Sequence, residues 1–227
     1  MQYAVQEFLE RRHVQIADDS SAQAVSAASR GDEVCHPLDR PPYGLPVSGR
    51  RAELPAFWRW AYADLRSNAV RGVLAEYLVG LALDVDMTVG REEWAPWDLV
   101  TPSGIKVEVK CGAYVQAWQP SGEPSPVRYS GLLARSWIAG TAGSYTDLPD
   151  VRADVYVFAL NICRDPDLYA PLDPTLWEFR VVAGGAVRDW QQRSVGLSRL
   201  QALGVPVVDG AGLPAADRHA AEGGAST

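Results

Sequence analysis

The segment Trp97 to Trp118, WDLVTPSGIKVEVKCGAYVQAW, constrains the fold more tightly than any other part of the chain. Pro102, Ser103 and Gly104 are turn formers between two runs of strand formers, so the segment bends into a β-hairpin. Side chains alternate along a strand. Ile105, Val107, Val109 and Cys111 therefore share one face, and Lys106, Glu108 and Lys110 share the other. The apolar face needs a cover, and residues 69–83, AVRGVLAEYLVGLAL, supply a candidate. Ser67 and Asn68 give a helix-capping signal. Beyond them Val70, Val73, Leu74, Tyr77, Leu78 and Leu81 form a wide apolar stripe, expected to lie against a sheet.

Other elements follow the same rules. PAFWRWAYADLR reads as a helix with Phe57, Trp60, Ala61 and Leu65 on one face, and Trp58, Trp60 and Trp177 read as core. Strands are expected at Trp97–Thr101, Lys106–Gly112, Val151–Leu160 and Trp177–Val182, and a late helix over Ser194–Leu203, stopped by Gly204. Residues 130–147 read as a strand and a loop. Together these suggest an α/β or α+β sandwich around one mixed sheet. Residues 1–53 read as an N-terminal helical and irregular extension, 54–208 as the core domain, and 209–227, with little to bury, as a flexible tail.

The chain carries a net charge of −7, so it lacks the basic excess of a protein that coats DNA unaided. Binding to nucleic acid is expected to be local, or guided by a protein partner. Three cysteines without a CxxC pair argue against a disulfide framework and a cysteine-built zinc site. No apolar run reaches bilayer length, and the N-terminus lacks a signal-peptide core, so a cytoplasmic protein with no membrane partner is expected.

The charged face of the hairpin holds the chemistry. Folding at the turn brings Asp98 towards Glu108 and Lys110. Phosphodiester hydrolysis needs charge neutralised at the phosphate and an activated water, and a hard divalent cation on one or two carboxylates supplies both. Asp98 and Glu108 are the candidate ligands, the backbone carbonyl of Val109 a third, and Lys110 a candidate to orient or deprotonate the water. Glu76 shares a helix face with Gly72 and Gly80, which would let its carboxylate approach the sheet. The plainer alternatives are a solvated, alternating strand face and a salt-bridged Glu76, with Arg71 as its partner.

The string PWDLVTPSGIKVEVK resembles the PD-(D/E)xK signature of the restriction-endonuclease-like nuclease superfamily. Asp98 matches the first acid, Glu108-Val109-Lys110 the ExK, and Glu76 the acid that many members carry on the preceding helix. Trp97 separates Pro96 from Asp98, a departure from the adjacent pair. The resemblance covers mainly residues 68–118. It implies an α/β fold with a mixed central sheet flanked by helices, and a Mg²⁺-dependent endonuclease acting on DNA, with Mn²⁺ as a substitute. It also implies a catalytic candidate in Gln116, on the segment after the ExK strand. Tyr114 and Arg71 are weaker candidates for phosphate contacts. Two-strand cutting would suit a homodimer. The rival reading is an inactive DNA-binding or protein-interaction domain of the same fold.

Overall fold

The computed structural model describes residues 46–47, 50–51, 54–92, 95–118, 126–135 and 148–224. The chain divides between Cys35 and His36 into two units, and the described residues belong to the second. The expectations for residues 1–45 and 136–147 lie outside them. Two short strands, β1 (Pro46–Val47) and β2 (Arg50–Arg51), pair antiparallel ahead of helices α1 (Leu54–Ala61) and α2 (Asn68–Ala82). The central sheet follows, built from β3 (Leu99–Val100), β4 (Lys106–Ala113), β6 (Val155–Asn161) and β7 (Trp177–Ala183), side by side in that order. Strands β3 and β7 run antiparallel to their neighbours, while β4 and β6 run parallel. The fold is thus α/β with a mixed sheet flanked by helices.

The expected hairpin forms. Leu99 pairs with Val107 and Val100 with Lys106, and the Asp98 N–H also reaches the Val107 carbonyl. Gly104 closes the turn at φ +86°, a conformation that favours glycine. Strand β6 is buried along its whole length, as the apolar run Val155–Leu160 between two partner strands should be, and Asn161 at its end is buried with it.

Two cores sandwich the sheet. On one face Val107, Val109, Val155, Val157 and Phe179 pack with Ala75 and Val79 of α2 and with Leu213 of α5 (Leu213–Gly224). On the other, Tyr156, Phe158 and Val182 pack with Tyr129 of β5 (Arg128–Ser130) and Val187 of α3 (Gly184–Asp189). Val195 of β8 (Ser194–Gly196) and Leu200 of α4 (Leu197–Ala202) complete that second layer. Each fully buried Val or Leu contributes on the order of 2 kcal/mol. Among the described residues no helix is long and apolar enough to cross a membrane.

Four expectations need correction. The buried line of α2 is Arg71, Ala75, Val79 and Gly80, while Val73, Tyr77 and Leu81 are about half exposed. Ala75, Val79 and Gly80 let the helix backbone approach its neighbours; of the expected stripe, Leu74 and Leu78 pack partly buried against the core, and Val73, Tyr77 and Leu81 are left outside. Trp58 and Trp60 lie exposed on α1, unlike Trp177, which is core. Ser194–Leu203 divides at Gly196 because Ser194–Gly196 pairs with β5, and only the remainder is helix. The segment read as a flexible tail forms α5, whose Leu213, Ala220 and Ala221 join the first core. Alanines sufficed to build that contact.

Candidate functional site

Strand β3 is two residues long, so the outer edge of β4 is unpaired by strand beyond Val107. Asp98 takes that place. Its N–H donates to the Val107 carbonyl at 3.1 Å, and its Oδ2 accepts from the Val109 N–H at 2.8 Å. Because N–H and C=O of one strand residue point to the same side, the Val109 carbonyl faces this edge too. Glu108 and Lys110 lie on the sheet face of Tyr156 and Phe158, their register partners. Lys110 Nζ donates to Glu108 Oε1 at 2.6 Å, with both side chains 18% exposed. The glycine at 131 closes over this lysine, since a Cβ there would stand 3.4 Å from Nζ.

Glu76 reaches the same region from α2 and borders one cavity with Asp98. Its two carboxylate oxygens accept from Nε and Nη2 of Arg91, a bidentate pair. The partner is therefore Arg91, not Arg71. Of the two glycines expected to bring Glu76 inward, only Gly80 makes a close approach, with Met87 Sδ 2.7 Å from where a Cβ would be; Gly72 faces open space.

The electrostatics tie the acids together. Burial pushes the Asp98 carboxyl up to about 7, and the charges of Glu108 and Glu76 push in the same direction. The Val109 N–H and Lys110 oppose them. A carboxylate held this way carries negative charge that a cation would relieve. The donors fit a hard divalent ion with few protein oxygens and several waters. Among the described residues, however, no three His, Cys, Asp or Glu side chains stand as a ready-formed metal cluster. Two of the acids are turned towards protein cations instead, Glu76 to Arg91 and Glu108 to Lys110.

The remaining candidates are placed otherwise. Arg71 is buried, and donates to Asn68 Oδ1 (2.6 Å), Arg66 O (2.8 Å), Gln116 Oε1 (3.2 Å) and Val115 O (3.3 Å). Gln116 in turn donates to Ala113 O at 2.8 Å. These two side chains clamp the end of β4 to the start of α2. The Tyr114 ring lies under the Arg164 guanidinium, 3.8 Å from its centroid. Arg91, in a polar loop, has no sequence signal beyond its charge, and only the fold brings it to Glu76.

No protein-family model matches the chain, and no curated protein matches it in sequence.

Proposed function

We propose that the chain is a divalent-cation-dependent endonuclease of restriction-endonuclease-like fold, hydrolysing phosphodiester bonds in DNA in restriction, defence or repair. One juxtaposition carries the reading. Asp98 is hydrogen-bonded to the strand that bears Glu108 and Lys110, and its carboxyl is raised to about 7 by burial and by the charges of Glu108 and Glu76.

Asp98, Glu108 and the Val109 carbonyl would hold Mg²⁺, or Mn²⁺ in its place, with Glu76 in support. The ion supplies charge neutralisation at the phosphate and activation of water. Asp98 is oriented by the Val109 N–H, so its free oxygen is the one left for coordination. Lys110 holds Nζ beside Glu108, where it can orient a water or exchange a proton with it. Partners under this reading are DNA, a second copy for two-strand cutting, and a guiding protein that offsets the charge of −7.

A second reading, an inactive DNA-binding or protein-interaction domain, is favoured by the Glu76–Arg91 and Glu108–Lys110 pairs, which already neutralise two acids. Incubation of plasmid and linear DNA with Mg²⁺, Mn²⁺ or EDTA separates the two. The nuclease reading expects metal-dependent cleavage that falls by about 100-fold or more in Lys110→Ala. A wild-type protein inert towards every DNA form would favour the second.

A further inference from the structure

A cavity of about 950 Å³ opens directly beside the acids, with Glu76 and Asp98 in its wall. A volume of this order holds a nucleotide-sized ligand. Most of its lining surface is apolar, with Val73 and Tyr77 of α2, Val89 of the following loop and Val100 of β3 among the contributors, and the charged Asp86, Arg91 and Glu92 border it as well. These four side chains are between 43% and 68% exposed, an apolar lining turned to solvent. The wall is well supported. The Val85 N–H donates to Gly80 O at 2.9 Å, and Met87 seats where Gly80 lacks a side chain.

We infer that this cavity receives an unpaired nucleoside next to the scissile phosphate, with Tyr77 as the stacking platform, so that the substrate is single-stranded DNA, a flap or a frayed end. The inference rests on the nuclease reading for the identity of the ligand. A nucleotide is polar at its phosphate and flat and apolar at its base, and the cavity offers both kinds of surface. Glu76 and Asp98, acids suited to a cation, share its wall with a phenol ring and three valines. A base inside a duplex is stacked on its neighbours and cannot enter. Every base has a flat face that stacks on an aromatic ring, so this contact is tolerant of sequence.

The test uses a single-stranded deoxyoligonucleotide carrying one 2-aminopurine, and the same strand in a duplex. Both are titrated with the full chain in Ca²⁺ and in EDTA. Single-strand affinity is expected to exceed duplex affinity, and 2-aminopurine fluorescence to be quenched. Tyr77→Ser is expected to weaken single-strand binding about tenfold, which is 1.4 kcal/mol. Leu81→Ser, one turn along α2 and also half exposed but outside the cavity, should leave binding unchanged. Circular dichroism establishes that both variants fold. Equal affinity for the two DNA forms, or an unaltered Tyr77→Ser titration, would overturn the cavity assignment, even with metal-dependent cleavage intact. Tyr77-dependent binding without cleavage of any DNA would instead uphold the cavity and overturn the nuclease.

Discussion

Asp98 Oδ2 accepts a hydrogen bond from the Val109 N–H at 2.8 Å, and this one bond fixes the first acid to the strand that carries the second. The bond occupies one carboxylate oxygen and a strand-edge donor that β3 is too short to reach. Asp98 thereby caps the sheet while presenting charge to Glu108 and Glu76, a costly arrangement unless a cation joins it.

Proton and cation should therefore compete. The Asp98 carboxyl, raised to about 7, is protonated below that pH and ionised above it. Coordination needs the ionised form, so Mn²⁺ affinity should fall by up to about tenfold per pH unit below 7 and level off above it. Calorimetry between pH 5.5 and 8 measures this. Affinity constant below pH 7 would remove Asp98 as a ligand.

Arg91 should compete for the same site. It pairs with Glu76 through a partly exposed contact, its own side chain 39% exposed, and pairs of that kind are worth about 1 kcal/mol or less. Arg91→Ala should raise Mn²⁺ affinity by up to about fivefold. A decrease would mean that the arginine orders Glu76 rather than occupying it.

Arg71 and Gln116 should behave as structural residues. Arg71→Met deletes four donated bonds in a buried setting and should destabilise the fold by about 2–4 kcal/mol, seen as a lower thermal midpoint. Gln116→Ala should cost about 1 kcal/mol. A fully stable Arg71→Met protein with lost DNA binding would return Arg71 to the phosphate-contact role.

Asp217 on α5 offers a pH test away from the site. It is buried, its Oδ1 has no hydrogen-bond partner, and burial raises its carboxyl to about 6 from 3.8. With the folded value above the unfolded one, the favourable contribution is complete below pH 3.8 and is lost as pH rises through 6. Asp217→Asn should therefore stabilise the protein by roughly 2–3 kcal/mol at pH 7.5, with a gain that shrinks towards pH 4. Denaturant unfolding at both pH values measures it, and an equal gain at both would contradict the assignment.

What the sequence disclosed is local and periodic. Alternation along Lys106–Cys111 and the Pro-Ser-Gly turn were enough to fold the hairpin that returns Asp98 to the strand carrying Glu108, because a hairpin closes between near neighbours. Long-range facts were hidden. Tyr77 and Val73 look like core by helical spacing, yet Ala75 and Val79 face the sheet, since close packing favours small residues there. Ser194–Gly196 is strand only because β5 lies beside it. The terminal helix needs one leucine and a few alanines placed on a ready-made surface, too faint a pattern against a composition rich in alanine and glycine. Arg91 meets Glu76 across 15 residues of chain, a distance that carries no motif.

Titration of Mn²⁺ into wild type and Asp98→Ala, with heat as the readout, bears most directly on whether these acids form a cation site. Wild type should bind the ion at pH 8, and Asp98→Ala should bind it about tenfold or more weakly while remaining folded by circular dichroism. No heat with wild type, or the same affinity in both proteins, would contradict the site and leave the acid cluster a structural device.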